Sequence, residues 1–327
     1  MSSLQQLMMS NFVVGGSNFI GLGPQTVFDK NMSQYHADIT SAPNGEYFVM
    51  IFQDLANLGY GNVVGISVDP STNVVTFGTP VVFNSSDADL MKVGYDTNVD
   101  KFLAVYRDNG QDEQIQARSL TVNSSTLAIT LGPAEHVVDG SGNLADLDIA
   151  FDNNVNKWIV IYDDDDGTDT AKANTLTVDG TGAVSSGAQV TVSALATAGS
   201  KIAFDETANR FVASYYEYGA DILYGRILTI SGTSISQGAI FNIKTGLVGV
   251  NFEPVYHPVD GKVHVIMGTG NTGNLGALGL QIARINISGT TGSVAGTSAN
   301  LWDGFPSTSY PRNQGAEVRN TIYDPVS

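Results

Sequence analysis

The chain has 327 residues, no Cys, and 15 Lys and Arg against 32 Asp and Glu, which gives a net charge of −17. The lack of Cys excludes disulfides, thiolate metal sites and cysteine nucleophiles, and the acidic balance argues against nucleic acid as a partner. No apolar run reaches the roughly 20 residues of a membrane-spanning helix, so we expect no membrane insertion. With 36 Gly, 14% charged residues and many Val, Ile and Thr, the composition predicts an all-β protein.

Five segments of the sequence resemble one another and follow at intervals of 52 to 56 residues. Each has one anchor position in a strand-like stretch, and three of them share an Asp six residues before it. The anchors are Phe48, Phe102, Trp158, Phe211 and Val263, and the shared acids are Asp96, Asp152 and Asp205. We expect the anchors to fill the space between neighbouring sheets and the acids to accept hydrogen bonds from backbone N–H groups in turns.

Each repeat contains four short segments with the alternation of β-strands, separated by turns. A four-stranded sheet of about 50 residues cannot bury both of its faces alone, so the repeat predicts a β-propeller rather than a solenoid, whose repeats are usually shorter. The predicted blades span about residues 31–83, 84–138, 139–192, 193–243 and 244–301.

The two ends of the chain resemble halves of one further repeat. The segment IGLGPQTVF (20–28) is similar to the fourth strands, and GAEVRNTIYDPVS (315–327) is similar to the first strands. Pairing of residues 1–30 with residues 312–327 would form a shared blade, close the ring and remove its unpaired edges. We therefore predict one domain over residues 1–327, a six-bladed propeller, with five blades and loose tails as the alternative.

The repeats VGYDTNVDKFLAVYRDNG (93–110), IAFDNNVNKWIVIYDDDDG (149–167) and IAFDETANRFVASYYEYG (202–219) resemble propeller repeats in virion structural proteins of marine tailed bacteriophages. The resemblance covers about residues 20–290 and implies a tail fibre, head fibre, spike or knob. Repeats one and five depart from the pattern, because Ala42 and His257 stand where the others have the shared Asp.

This resemblance implies a non-enzymatic virion protein, without a cofactor, that attaches to another virion component or to a glycan or protein on the host surface. The N-terminus lacks the features of a signal peptide, which agrees with assembly into virions in the host cytoplasm. A carbohydrate-binding or glycoside-hydrolase propeller of a bacterium is the alternative. The sequence has no Gly-x-Ser-x-Gly elbow and no His-Glu-x-x-His motif, and its four His are well separated, so we predict no enzyme and no metal centre.

Charged residues stand ten positions before the anchors, where the first strand of each blade begins, and they alternate between acid and base. These ring residues are Asp38, Lys92, Asp148, Lys201 and Glu253, with Asn320 in the shared blade. We expect ion pairs around a channel mouth, because charges in a partly desolvated channel need partners. A pocket for a small sugar or an ion is the alternative. The neighbouring Lys residues would keep the acids ionised and therefore poor as glycosidase acids.

Two loops are candidates for binding. The acidic loop 163–169 offers Asp163, Asp165, Asp166 and Asp169 as calcium ligands, although its spacing is not that of an EF-hand and a solvated hairpin tip is favoured. The loop 301–315 carries Trp302, Phe305 and Tyr310, which we expect either to pack onto the propeller or to form an interface with a partner.

Overall fold

The computed structural model describes residues 28, 32–43, 45, 47–138, 144–164, 169–246, 252–271 and 274–298. These residues form two compact units, the first with residues up to 138 and 178–184, the second with residues 144–177 and 185–298. Within these ranges, no helix is long and apolar enough to cross a membrane. Several predicted site residues lie outside the described residues, namely Asp165, Asp166, Trp302, Phe305, Tyr310 and Asn320, and so does nearly all of the predicted shared blade.

The first unit is built from antiparallel strands. They are β1 (Met32–Ser41), β2 (Phe48–Asp54), β3 (Tyr60–Val68), β4 (Val75–Phe77), β5 (Val81–Asp96), β6 (Lys101–Asp108), β7 (Gln114–Val122) and β8 (Ile129–Val138). Their order is β1-β2-β3-β5-β6-β7-β8, with β4 also paired to β3. The long strand β5 takes part in two groups, because residues 81–87 pair with β3 and residues 88–96 pair with β6. The sheet therefore consists of two successive four-stranded groups.

The remaining strands are also antiparallel and form three sheets. They are β9 (Leu144–Asp152), β10 (Lys157–Asp164), β11 (Thr170–Val178), β12 (Val184–Ser186), β13 (Val190–Ser193), β14 (Thr197–Asp205), β15 (Arg210–Glu217), β16 (Ile222–Ser231), β17 (Ser234–Thr245), β18 (Phe252–His257), β19 (Lys262–Asn271), β20 (Asn274–Ser288) and β21 (Thr291–Thr297). The sheet orders are β9-β10-β11 with β12 and β13 sharing the fourth position, then β14 to β17, then β18 to β21. The predicted all-β fold with four strands per repeat is confirmed.

The turn between the first and second strand of a group is capped by the shared acid. Asp96, Asp152 and Asp205 each accept a hydrogen bond of 2.8–3.0 Å from a backbone N–H two or three residues ahead. Four residues after each acid the backbone is left-handed with φ of 54°, at Asp100, Asn156 and Asn209. Asn and Asp tolerate this region better than most residues do. The predicted role of the acids is confirmed.

The anchors lie between sheets where a neighbouring sheet is described. Phe211 is 0% exposed and packs in one cluster with Ile159 and Ile161 of the preceding sheet. Val263 of β19 is likewise buried and packs with Val212 of β15. Phe48 differs, because it is half-buried and its cluster contains residues of its own sheet together with Phe28. The interpretation of the anchors as packing residues is confirmed for Phe211 and Val263.

Phe211→Ala tests the packing between sheets. Because Phe211 has no solvent exposure, its truncation leaves a cavity, and we expect the free energy of unfolding to fall by about 3–5 kcal/mol. Val259→Ala is the control, since Val259 is 79% exposed, and a surface substitution of this kind changes stability by about 0.5 kcal/mol or less. Urea unfolding followed by tryptophan fluorescence measures both, and equal midpoints for the two variants would contradict the packing role.

Candidate functional site

The first strand of a group is interrupted near its start by a β-bulge. In β5 the register shifts between Asp89 and Lys92, and in β14 it shifts between Ala198 and Lys201. The corresponding irregularity of β9 lies opposite residues 162 and 163 of β10.

At each bulge one residue has a left-handed backbone, with φ of 45° at Leu90, 45° at Asp146 and 68° at Gly199. Bulges of this kind redirect side chains and are common next to active sites.

Three of the predicted ring residues, Lys92, Asp148 and Lys201, follow these bulges. Two of the ring acids make the same contact. Asp38 accepts a hydrogen bond of 2.8 Å from the backbone N–H of Val93, and Asp148 accepts one of 2.9 Å from Ile202. Each donor belongs to the first strand of the next group and directly follows a ring Lys. The acid side chains therefore stabilise the contact between sheets within each unit.

The complete ring stays a prediction. Its described members are divided between the two units, with Asp38 and Lys92 in the first and Asp148, Lys201 and Glu253 in the second. Glu253 is 9% exposed and lies in β18 opposite Ile266.

Two carboxylates of the second unit converge on the bulged start of β14, and we call them the Asp146–Asp163 site. The backbone N–H of Gly199 donates to Asp146 Oδ2 at 2.9 Å, and the next N–H, that of Ser200, donates to Asp163 Oδ2 at 3.0 Å. The Ser200 hydroxyl also donates to Asp163 Oδ1 at 2.6 Å. The ammonium group of Lys201 lies 3.7 Å from Asp146 Oδ1. One short backbone segment thus positions both acids.

The two acids differ in their exposure to solvent. Asp163 is 2% exposed, and burial raises its pKa to about 6, with the nearby charge of Asp146 acting in the same direction and the Ser200 hydrogen bonds opposing it. The side chain of Asp146 is 34% exposed and that of Lys201 is 15% exposed. Asp146 and Lys201 are therefore partly open to solvent, whereas Asp163 is not.

Lys201 was predicted from the sequence as a ring residue, but its partner Asp146 was not. Asp146 stands two residues before the ring position Asp148, and the corresponding residues Leu90 and Gly199 are not acidic. A search for the same residue type at equivalent positions of the repeats therefore does not find Asp146. The bulge that turns Asp146 towards Lys201 leaves no consistent residue type in the sequence.

The calcium candidates are only partly covered by the described residues. Asp163 lies at the end of β10, and both of its carboxylate oxygens accept hydrogen bonds from β14. The backbone carbonyl of Asp169 accepts hydrogen bonds from the N–H and the hydroxyl of Thr197. Since Asp165 and Asp166 lie outside the described residues, calcium binding stays a prediction.

The histidines are closer together than the sequence spacing indicated. His257 and His264 belong to the two strands of one hairpin, and their ring centroids are 4.9 Å apart with the rings nearly parallel. Asp260 in the turn completes a group whose ligand atoms all lie within 4.8 Å of one another. The prediction of well-separated histidines is wrong for this pair, because antiparallel pairing brings residues on both sides of a short turn together.

Comparisons with known proteins identify the fold. No protein-family model and no curated protein matches the sequence. A solved structure from Bacteroides uniformis, named "putative 6-phosphogluconolactonase", superposes with a TM-score of 0.53 at 12% identity, over 84% of this chain and 73% of that chain. The chain is an all-β protein with the β-propeller fold of antiparallel sheets. The number of six blades stays a prediction.

Two further structures are similar at lower scores. A β-1,3-galactosidase of glycoside hydrolase family 43 has a TM-score of 0.45 at 11% identity, over 81% of this chain and 94% of that chain. An α-L-arabinofuranosidase from Lactobacillus brevis has a TM-score of 0.41 at 10% identity, over 83% of this chain and 94% of that chain.

These comparisons correct two predictions. The expected non-enzymatic virion structural protein is wrong, because the similar structure from Bacteroides uniformis, with a TM-score of 0.53, is named as a putative enzyme. The resemblance of the repeats reflects the propeller fold, which virion proteins and enzymes share. The function inferred from this resemblance was therefore wrong.

The buried acid of the site makes stability depend on pH. The pKa of Asp163 is about 6 in the folded protein against the ordinary 3.8, so its contribution is fully present below pH 3.8 and is lost as the pH rises through about 6. We expect the stability of the wild type relative to Asp163→Asn to fall by about 2–3 kcal/mol between pH 4 and pH 7. Urea unfolding at a series of pH values measures this difference.

Asp69→Asn is the matched control for this measurement. Side-chain and backbone hydrogen bonds from Ser71 lower the pKa of Asp69 to about 2, so both its folded and its ordinary pKa lie below the range that is titrated. The stability difference between the wild type and Asp69→Asn should therefore stay constant from pH 5 to pH 7. A constant difference for Asp163→Asn as well would contradict the raised pKa.

Proposed function

We propose that the chain is a hydrolase that cleaves an ester bond of a sugar derivative, with Asp146 and Lys201 as the groups that contact the substrate. One observation carries the proposal: the partly exposed carboxylate of Asp146 is fixed by the Gly199 N–H at 2.9 Å, and the Lys201 ammonium lies 3.7 Å from its other oxygen. A carboxylate and an ammonium held side by side at the end of a sheet provide a base and a cation for one reacting carbonyl group.

The geometry fits the two requirements of ester hydrolysis. Asp146 Oδ1 accepts a proton from a water molecule, and this water attacks the carbonyl carbon of the ester. The carbonyl oxygen becomes negatively charged, and the Lys201 ammonium stabilises that charge. The carbonyl group then re-forms, the bond to the alcohol oxygen breaks, and the proton held by Asp146 passes to the leaving oxygen.

Asp163 is a positioning residue in this proposal. It accepts hydrogen bonds from the Ser200 N–H, the Ser200 hydroxyl and the Thr197 hydroxyl, at 2.6–3.1 Å. These bonds hold the segment 197–201, which contains both groups that position Asp146. Because Asp163 is 2% exposed, it supports the site without contacting the substrate.

The fold comparison and the site together favour an ester of a sugar derivative as the substrate. The Bacteroides uniformis propeller is named for a sugar lactone, which is an internal ester, and this suggests the class of bond to test. A glycoside is the second candidate, because glycosidases use one carboxyl with a raised pKa beside an ionised one. The buried position of Asp163 makes it unsuited to protonate a glycosidic oxygen, so the ester is preferred.

The test measures hydrolysis of aldonic acid δ-lactones, with and without a terminal phosphate, against the spontaneous rate. We expect the wild type to accelerate hydrolysis of at least one of them. Asp146→Asn keeps an oxygen for the Gly199 N–H but loses the base, and kcat/KM should fall by about 100-fold or more. Lys201→Met should lower kcat by about 100-fold, because the oxyanion loses its stabilising charge.

Lys157→Met is the matched control. Lys157 lies at the opposite end of β10 from Asp163, where its ammonium group donates to the Thr177 hydroxyl at 2.8 Å. The activity of Lys157→Met should equal that of the wild type, and thermal unfolding of all variants checks that they are folded. Cleavage of aryl glycosides without lactone hydrolysis would favour a glycoside, the second candidate, over an ester as the substrate. Full activity of folded Asp146→Asn, or no activity on either class of substrate, would overturn the proposal.

A further inference from the structure

The hairpin between β18 and β19 is built differently from its counterparts. The three hairpins described above are capped by a shared Asp, whereas this one has His257 at that position. Its turn is closed by a hydrogen bond of 2.9 Å from the Gly261 N–H to the His257 carbonyl, with Gly261 at the left-handed position. The imidazole of His257 is therefore not needed to cap the backbone of the turn and contacts Asp260 instead.

Three side chains converge above this hairpin. Nδ1 of His257 lies 3.1 Å from Asp260 Oδ1, and Nε2 of His264 lies 2.8 Å from Asp260 Oδ2. The two rings are stacked with an angle of 7° between their planes. One nitrogen from each ring and a carboxylate oxygen thus lie within 4.8 Å of one another.

The backbone supports this arrangement. β18 and β19 are antiparallel, with Val255 opposite His264 and His257 opposite Lys262, so the two histidines lie diagonally across the same hairpin. Antiparallel pairing fixes the distance between such diagonal neighbours. The side chains are 35%, 25% and 17% exposed at His257, Asp260 and His264, so an ion can reach them from solvent.

We propose that His257, Asp260 and His264 form a binding site for zinc. Two imidazole nitrogens and one carboxylate oxygen are a ligand set that zinc accepts, and a fourth, open position is then filled by water. Imidazole ligands favour zinc and similar transition metals over calcium or magnesium, which prefer oxygen ligands. This site lies where β18 ends and β19 begins, whereas the positions that correspond to Asp146 and Asp163 lie at the other end of these strands. Zinc binding does not depend on the proposed hydrolysis.

Arg284 competes with the ion for the same carboxylate. Its guanidinium lies 3.0 Å from Asp260 Oδ2, and its side chain is 49% exposed. Zinc must displace this contact, and the exposed arginine can move into solvent when it does. Removal of Arg284 should therefore strengthen zinc binding, whereas removal of a ligand should weaken it.

Calorimetric titration of zinc into protein purified without a histidine tag tests the site. We expect one ion per chain, and binding at least about tenfold weaker in His264→Asn and in Asp260→Asn, because losing a ligand costs no less than losing its supporting contacts. His136→Asn is the matched control, since His136 lies in β8 of the other unit, and it should bind as the wild type does. Arg284→Gln should bind more tightly.

Two measurements decide the outcome. Cobalt added in place of zinc should give a visible absorption spectrum in the wild type and in His136→Asn but not in Asp260→Asn, and thermal unfolding with a chelator present checks the fold of each variant. Because Asp260 lies in the turn, Asp260→Asn keeps the test valid if His264→Asn is unstable. An absence of zinc binding in the wild type, or equal binding in folded Asp260→Asn, overturns the proposal. Unchanged or weaker binding by Arg284→Gln also counts against it.

Discussion

The central constraint on this protein is that its inner strands are apolar on both faces. In β15, Phe211 and Ala213 pack in a cluster with residues of the preceding sheet, while Val212 on the opposite face packs with Val263 of the following sheet. A single four-stranded sheet cannot cover both of these faces, so each sheet needs a neighbour on either side. The repeat of about 50 residues follows from this need, because every repeat supplies one sheet and buries one face of the next.

The same constraint determines where polar chemistry is possible. Charged groups buried wholly or partly inside such strands need partners, and Asp148 and Arg226 have them, since Asp148 accepts a hydrogen bond from the Ile202 N–H and Arg226 donates one to the Gly238 carbonyl. At the bulge of β14, where φ is 68° at Gly199, the backbone N–H of Gly199 donates to a further carboxylate, that of Asp146. The Asp146–Asp163 site uses two consecutive N–H groups of one bulge. It is thus a variation of a contact that the fold already needs to hold its sheets together.

The sequence predicted those features that repeat. Anchors such as Phe211 and turn acids such as Asp205 recur at a fixed spacing, because every sheet has the same packing and the same hairpin. The way in which residues combine into the candidate sites, such as Asp146 beside Lys201, was missed because it depends on what differs between repeats. Five residues after the anchor stand Gln53, Arg107 and Asp163, and each contacts a different partner, respectively Asp87, Asp89 and Ser200. No common pattern in the sequence indicates such contacts.

The two proposed sites illustrate how one sheet design permits separate functions. Asp146 lies where the first strand of its group begins, whereas His257 lies where the first strand of its group ends. The buried middle of the strands separates these two ends, and its packing stabilises the fold. Substitutions at either end therefore change the polar contacts of that end without altering the packing of Phe211 or Val263. A departure from the repeat at a strand end, such as His257 in place of Asp, is consequently a better guide to function than the repeat itself.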